Sequence, residues 1–327
     1  MNDDRSCRWG GIHVELGEIR RPVESIANAA ERFKAHKLPM NPELLDYGVF
    51  RQSVVAPQES VARAIAGTLS MTGAAAKSVD LLIVATADPQ FLSADRGFFP
   101  ALLERTGLTN ALPLAVTGQE CASLLSALDM AIGHVRSGAR RNVLVVSQDS
   151  ARSDEDRIQT FGVVSDASAA CLVSADLPLE FLTRGFSLRS DLAGMRGNDD
   201  FASRKTLIGG VSHDVVGARG LSLAGIERVF ATNFFRPISS FNASSTGLSG
   251  NQLYTGSARE VGHCLNADPL MNLSRFLGEQ RARAAPALYL LQAFAPGFLA
   301  AMLIEDRGEQ DRSATGDLDV EAVVHEW

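Results

Sequence analysis

The stretch Ala115–Leu128, AVTGQECASLLSAL, carries the sharpest change of pattern in the sequence. The apolar run Leu112–Val116 ends in it, a short polar link follows, and from Cys121 to Val135 the residues are apolar nearly all round. A buried strand, a tight link and an apolar helix in succession are the parts of an α/β unit, and a helix without a polar face is normally central. A thiol at the start of such a helix faces the positive end of the helix dipole and backbone N–H groups that lack an intrahelical acceptor. Both favour thiolate over thiol, and the same N–H groups can hold the oxyanion formed when a thiolate attacks a carbonyl. Cys121 therefore reads as a nucleophile, or else as the small buried hydrophobe that a free cysteine usually is.

The alternation continues on both sides. Asp80–Ala85, Leu112–Val116, Asn142–Ser147 and Ala169–Val173 are short apolar runs that read as buried strands. Glu59–Gly73 places Val61, Ala62, Ile65, Ala66 and Leu69 on one helix face. Strands alternating with helices predict an α/β protein with a mainly parallel sheet. Further on, Ile226–Ala231 reads as a strand, Pro269–Gln280 as a helix, and Ala287–Leu291 and Phe298–Ile304 as two strands joined by a Pro-Gly turn. Leu192–Gly220, rich in Gly, Asp and Ser, reads as a surface excursion, and residues 307–318 as a polar tail segment. The element order of the two series is similar. The expected division is an N-terminal half, 1–176, carrying the nucleophile, and a C-terminal half, 177–327, carrying its partners.

Composition sets outer bounds. The 327 residues are 46% hydrophobic and 21% charged, ordinary for a globular chain and large enough for a core without disulfides. The net charge of -7 argues against a broad nucleic-acid face. Cys7, Cys121, Cys171 and Cys264 form no CxxC pair or zinc-spaced cluster, which predicts no metal and a reduced, cytoplasmic setting. The opening MNDDRSCRWGG has no apolar core, so no signal peptide is expected, and the apolar stretch Ala284–Ile304 is too interrupted for a membrane span.

Five stretches in order resemble the thiolase superfamily, most of all the β-ketoacyl-[acyl carrier protein] synthase III branch and related acyltransferases of secondary metabolism. They are Tyr47–Arg51, Val79–Pro89, Gln119–Ser123, Phe161–Ala170 and Gly262–Leu273. The resemblance implies a five-layer αβαβα sandwich of two related halves, usually a homodimer. It implies an acyl thioester substrate on coenzyme A or an acyl carrier protein, a covalent acyl-Cys121 intermediate, and no cofactor beyond the phosphopantetheine of the substrate.

The family pairs its cysteine with a histidine and an asparagine from the second half, and this chain departs from that pattern. After Arg228–Ala231 come Thr232 and Asn233 where the family histidine is expected, and the family's "GN" is Gly262-His263. The expectation is an exchange of side chains, giving Cys121, Asn233 and His263. Thr232 is the alternative for the first position. Asp268, five residues past His263, either orients the imidazole or serves as a helix-start residue before Pro269. The resemblance also points to the N–H groups of Cys121 and Gly297 as an oxyanion hole, and to Arg51 and Arg236 as contacts for carrier phosphates. His213 is a reserve base. With the titratable group moved to position 263, the expected reaction is acyl transfer to a small-molecule or carrier-bound acceptor. Decarboxylative condensation and a non-catalytic partner subunit are the alternatives.

Overall fold

The computed structural model describes residues 7–90, 96–280 and 285–308. Most of the expected polar tail, from residue 309 on, lies outside the described residues, as does Ala284. Eleven strands are described: β1 (Arg8–Leu16), β2 (Ile19–Pro22), β3 (Val49–Gln52), β4 (Leu81–Ala85), β5 (Leu112–Val116), β6 (Asn142–Asp149), β7 (Ala167–Ser174), β8 (Phe181–Ser190), β9 (Arg228–Ala231), β10 (Ala287–Ala295) and β11 (Phe298–Asp306). The described helices of eight residues or more are α1 (Pro57–Thr72), α2 (Phe98–Thr106), α3 (Ser123–Arg136), α4 (Phe201–Val215), α5 (Arg236–Thr246) and α6 (Asp268–Glu279).

Nine strands form one sheet in the order β5-β4-β6-β7-β1-β8-β11-β10-β9. Read outward from its middle, β1-β7-β6-β4-β5 is mirrored by β8-β11-β10-β9, so the second series repeats the first with one strand fewer among the described residues. The two series meet where Trp9 pairs with Phe181. Their rings lie 4.8 Å apart, and the Trp9 indole donates to Thr183 Oγ1.

Three apolar clusters define the layers. The outer face of the first series is covered by α1 and α2, through residues such as Ile65 and Leu102 against Leu82 and Val146. The outer face of the second series is covered by α4, through Ile208 and Val211. Between them α3 and α6 pack against both series, with Leu124, Leu128 and Leu273 sharing a cluster with Val145, Tyr289 and Met302. The result is an αβαβα sandwich. Leu124, Leu125, Leu128, Ile132 and Val135 of α3 are all buried. At about 1.5–3 kcal/mol per fully buried large side chain, the helix behind Cys121 is held firmly from both sides.

Two expectations need correction. The sheet is mixed: only β4–β5, β4–β6 and β9–β10 are parallel. Strands such as β7 are buried on both faces, and that produces a continuous apolar run whichever way the neighbours point. Leu192–Gly220 is also no excursion, because it contains α4, which buries Leu207, Ile208, Val211 and Val215. Asp200 caps it by accepting from the Ser203 N–H. The glycine pair at 209–210 dilutes its apolar stripe, and the Arg189 guanidinium lies against Gly210. No helix among the described residues is long and apolar enough to cross a membrane.

Candidate active site

Two loops of similar build converge at the central layer. In the first, β5 leads through a polar link to Glu120, whose backbone is left-handed (φ 50°). A single 3-10 turn, Glu120–Ala122, follows, and only then α3 from Ser123. Cys121 thus sits one turn before the α-helix rather than at its first residue. In the second loop, Gly262 (φ 80°) precedes His263, Leu265 is left-handed (φ 52°), a 3-10 turn spans Leu265–Ala267, and α6 starts at Asp268. A Cβ on Gly262 would collide with the carbonyl oxygen of Val163, so the close approach of the strand-like segment 163–165 requires glycine there. The His263 N–H donates to Val163 O, and its carbonyl accepts from Ser165 N–H.

The loops bring three side chains into line. Cys121 Sγ lies 3.7 Å from His263 Nε2, and His263 Nδ1 lies 2.5 Å from Asp268 Oδ2. All three residues are buried. Asp268 also accepts backbone N–H bonds from Cys264 on Oδ1 and from Asn233 on Oδ2, at 2.8 Å each. A carboxylate facing these donors is an acceptor, so His263 carries its proton on Nδ1 and turns the Nε2 lone pair to the sulfur. Asp268 is therefore both the helix-start residue and the group that orients the imidazole.

The thiol is not ionised by its position. Burial pushes the Cys121 thiol well above its ordinary value, and the carboxylates of Asp149, Asp268 and Glu120 push the same way, against its own backbone N–H. Desolvation is the largest of these effects, and it opposes the thiolate that the helix start was expected to favour. In the resting site the sulfur holds its proton, and His263 is the group within reach to accept it.

The described hydrogen bonds of the Asn233 side chain go to groups other than the sulfur. Its amide Nδ2 donates to Gly262 O at 3.0 Å and to Ser257 Oγ at 3.3 Å, and its Oδ1 accepts from Asn272. The side chain locks the His263 loop, and its backbone N–H serves Asp268. Thr232 is also structural, since its Oγ1 accepts from the Phe294 N–H. Gly297 (φ 72°) is the turn of the β10–β11 hairpin, with its carbonyl bonded to Asp191 N–H and its backbone packed on Gly194, so its described contacts tie it to segment 191–195. Arg236 is engaged by Asp46 at 2.7 Å and by the carbonyl of Glu43. Arg51 donates its backbone N–H to Ser165 Oγ, bracing the segment that holds His263. His213 lies in the last turn of α4, beside Gly217.

Four further residues were not singled out from the sequence. Asp149, at the end of β6, accepts from Ala87 N–H and from Asn266 N–H, and Asn266 Oδ1 accepts from Leu124 N–H in the first turn of α3. This pair ties the two loops together. Burial pushes the Asp149 carboxyl up to about 7. Phe161 and Phe234 pack on the imidazole of His263, with ring centroids at 5.4 and 5.6 Å.

Comparison with known proteins agrees with this architecture. A family model described as 3-oxoacyl-[acyl-carrier-protein (ACP)] synthase III matches residues 117–191, which include the Cys121 loop but not the His263 loop. The chain is similar to β-ketoacyl-[acyl-carrier-protein] synthase III of Prochlorococcus marinus (strain MIT 9313), with 30% identity over 190 residues, 55% of this chain and 54% of that protein. The match spans about half the length of that relative. In fold it is similar to the acyltransferase ChlB3 (TM-score 0.78, 18% identity, covering 92% of this chain and 98% of that one). It is also similar to 3-oxoacyl-[acyl-carrier-protein] synthase III of Aquifex aeolicus VF5 (TM-score 0.75, 16% identity, 91% and 99%).

Proposed function

We propose that this chain is a ketosynthase-III-like protein of the thiolase superfamily that carries out acyl transfer through a thioester on Cys121, with His263 as the proton carrier and Asp268 as its positioning residue. The observation that carries the reading is the buried line Cys121 Sγ–His263 Nε2 and His263 Nδ1–Asp268 Oδ2, at 3.7 and 2.5 Å. An acyl thioester of coenzyme A or an acyl carrier protein is the donor. The Cys121 proton passes to Nε2, the sulfur bonds to the acyl carbon, the donor C–S bond breaks, and the departing thiolate takes the proton. The backbone N–H of Cys121 is the proposed donor to the tetrahedral oxyanion. An acceptor hydroxyl or amine then gives its proton to Nε2 and bonds to the acyl carbon. The Cys121 C–S bond breaks and the sulfur regains the proton.

The site favours transfer over condensation. A decarboxylative condensation forms an enolate that needs neutral donors at the thioester oxygen. The second-half amide proposed for that task, Asn233, is committed to Gly262, Ser257 and Asn272. A complete line of nucleophile, base and carboxylate also argues against a non-catalytic subunit. Incubation with a panel of acyl-CoA and acyl carrier protein thioesters is expected to add one acyl mass to the intact protein. Cys121→Ala is expected to add none. Carbon dioxide release from a malonyl donor, at the rate of product formation, would instead establish condensation.

A homodimer is part of the proposal. Strand β5, which leads into the Cys121 loop, is the outer edge of the sheet, and its Leu112 is 55% exposed. Light scattering that gives the mass of a single chain at micromolar concentration would remove it.

A further inference from the structure

We infer that Asp149, with Asn266, is a positioning residue for Cys121: the pair takes up the open end of the nucleophile's helix and fixes a carboxyl whose charge decides how readily the sulfur gives up its proton. The inference rests on the acyl-transfer reading for its role and adds a control on the first step of that reading.

The first observation is where the helix start is spent. Helix α3 begins at Ser123, so the Leu124 N–H is one of the donors with no acceptor inside the helix. It donates to Asn266 Oδ1 at 2.9 Å, across 142 residues of chain. That donor is committed to Asn266 and not to the sulfur. Asn266 is held in turn by Asp149, whose Oδ2 accepts from the Asn266 backbone N–H at 3.2 Å. Asp149 Oδ1 accepts from Ala87 N–H at 2.8 Å and from Thr86 Oγ1 at 3.3 Å. Asp149, Asn266 and Thr86 are all buried. One carboxyl therefore joins the end of β4, the turn before α6 and, through Asn266, the entry to α3.

The second observation is charge. Asp268 is bonded to the imidazole, so a proton leaving the sulfur for His263 arrives beside that carboxylate. The described hydrogen-bond partners of Asp149 are all neutral. Its charge bears on the sulfur with no cation bonded to answer it, and it adds to burial in holding the Cys121 proton. The other charged groups around it are either paired or of the same sign. Asp88, next after Ala87, is bonded to Arg152, and Asp166, next to the β7 residue Ala167 that pairs with Asp149, is bonded to Arg157. Glu120 and Asp268 face Cys121 from the two loops, and the Cys264 thiol is pushed up by Asp149 as well. Burial holds the Asp149 carboxyl at about 7, so it is neutral in mild acid and ionised in mild alkali. The sulfur is easier to deprotonate while Asp149 is neutral and harder once it is ionised.

The test measures the rate at which iodoacetamide alkylates Cys121 in the full chain, from about pH 5.5 to about pH 8.5. Peptide mass spectrometry separates Cys121 from Cys7, Cys171 and Cys264. The ratio of the Asp149→Asn rate to the parent rate is expected to be near one at the acid end, because an amide matches the neutral carboxyl. At the alkaline end it is expected to reach roughly threefold or more. His263 and Asp268 are common to both proteins, so the ratio isolates Asp149. A purely structural Asp149 would change access to the sulfur by one factor at every pH. A ratio that stays constant or falls with pH, or no alkylation of Cys121 in the parent at any pH, would overturn the inference. Thr86→Val covers the case in which Asp149→Asn does not fold. It removes a donor to Oδ1, so the bend in the parent's log rate near neutrality is expected to move up by roughly half a pH unit, and an unmoved bend counts against Asp149. Acyl loading of the same proteins keeps the two readings apart. Failure to load at any pH sinks the acyl-transfer reading and leaves the alkylation result standing, whereas loading with a pH-independent alkylation ratio sinks this inference alone.

Discussion

The Cys121 loop and the His263 loop solve the same geometric problem in the two halves of the molecule. Each passes through one non-glycine residue in the left-handed region, Glu120 or Leu265, makes one 3-10 turn, and enters a central helix. The difference is what each places where. The first loop puts its reactive residue immediately after the left-handed position, at the mouth of α3. The second puts the imidazole two residues before that position and the carboxylate at the first residue of α6. One backbone device therefore presents a nucleophile in one half and a complete base in the other, and Asp149 with Asn266 fixes their spacing. Strain at Glu120 and Leu265 is tolerated because the helices behind them are clamped between the two series of strands.

The comparison breaks most sharply at the base. His263→Ala removes the only group in reach of the sulfur proton among the described contacts. Acyl loading followed by mass spectrometry is expected to slow by about 10³-fold, in the range of general acid–base catalysis. Equal loading in the variant would make the second loop a structural element only. Asp268→Asn tests whether the carboxylate, and not only a helix-start oxygen, matters. A slowing of roughly 10²-fold is expected, with a changed pH–rate profile and a melting temperature near that of the parent, since an Asn oxygen still accepts from one backbone N–H.

The link between the loops has a pH signature. The Asp149 carboxyl is raised from 3.8 to about 7 in the folded protein. The native state therefore keeps a proton that the unfolded chain has lost. The stability this contributes is complete below about pH 4 and is lost as pH rises through about 7, with a slope of at most about 1.4 kcal/mol per pH unit. Denaturant titrations from pH 5 to 7 are expected to show that decline in the parent and a flatter line in Asp149→Asn. The smallest effect belongs to the strained residues. Glu120→Gly is expected to stabilise by about 1 kcal/mol by relieving a left-handed Glu. Leu265→Gly is expected to gain less or to lose, because it also removes a half-buried side chain. Equal gains at both sites would mean that the Leu265 side chain contributes nothing.

How legible each part was depends on how local its cause is. The strands β4 and β6 and the helices α1 and α6 show in the residues, because burial on one or both faces imposes an apolar pattern within a few residues of chain. β5 is a strand as expected but not a buried one, since it is the sheet's outer edge and its residues are mostly exposed. Helix α4 did not show, because Gly209 and Gly210 break its stripe. Cys121 was conspicuous because it lies at the entry to an apolar helix, and His263 because it stands where the resemblance implies an asparagine. The role of Asn233 was misjudged, since its spacing from His263 says nothing about which way its amide turns. Phe161 and Phe234 lie in or beside stretches already singled out, but nothing in the chain shows that their rings pack on His263, and nothing near Asp149 marks it.

By itself the sequence determined that this is a two-part α/β protein with a cysteine at the entry to a central helix, because patterns of burial and helix entry are written in neighbouring residues. Only the tertiary structure decided that His263 and Asp268 stand in line behind that cysteine, that Asn233 does not, and that the thiol keeps its proton. Those outcomes depend on desolvation, on a contact between Cys121 and His263, 142 residues apart, and on which donors and acceptors are already taken.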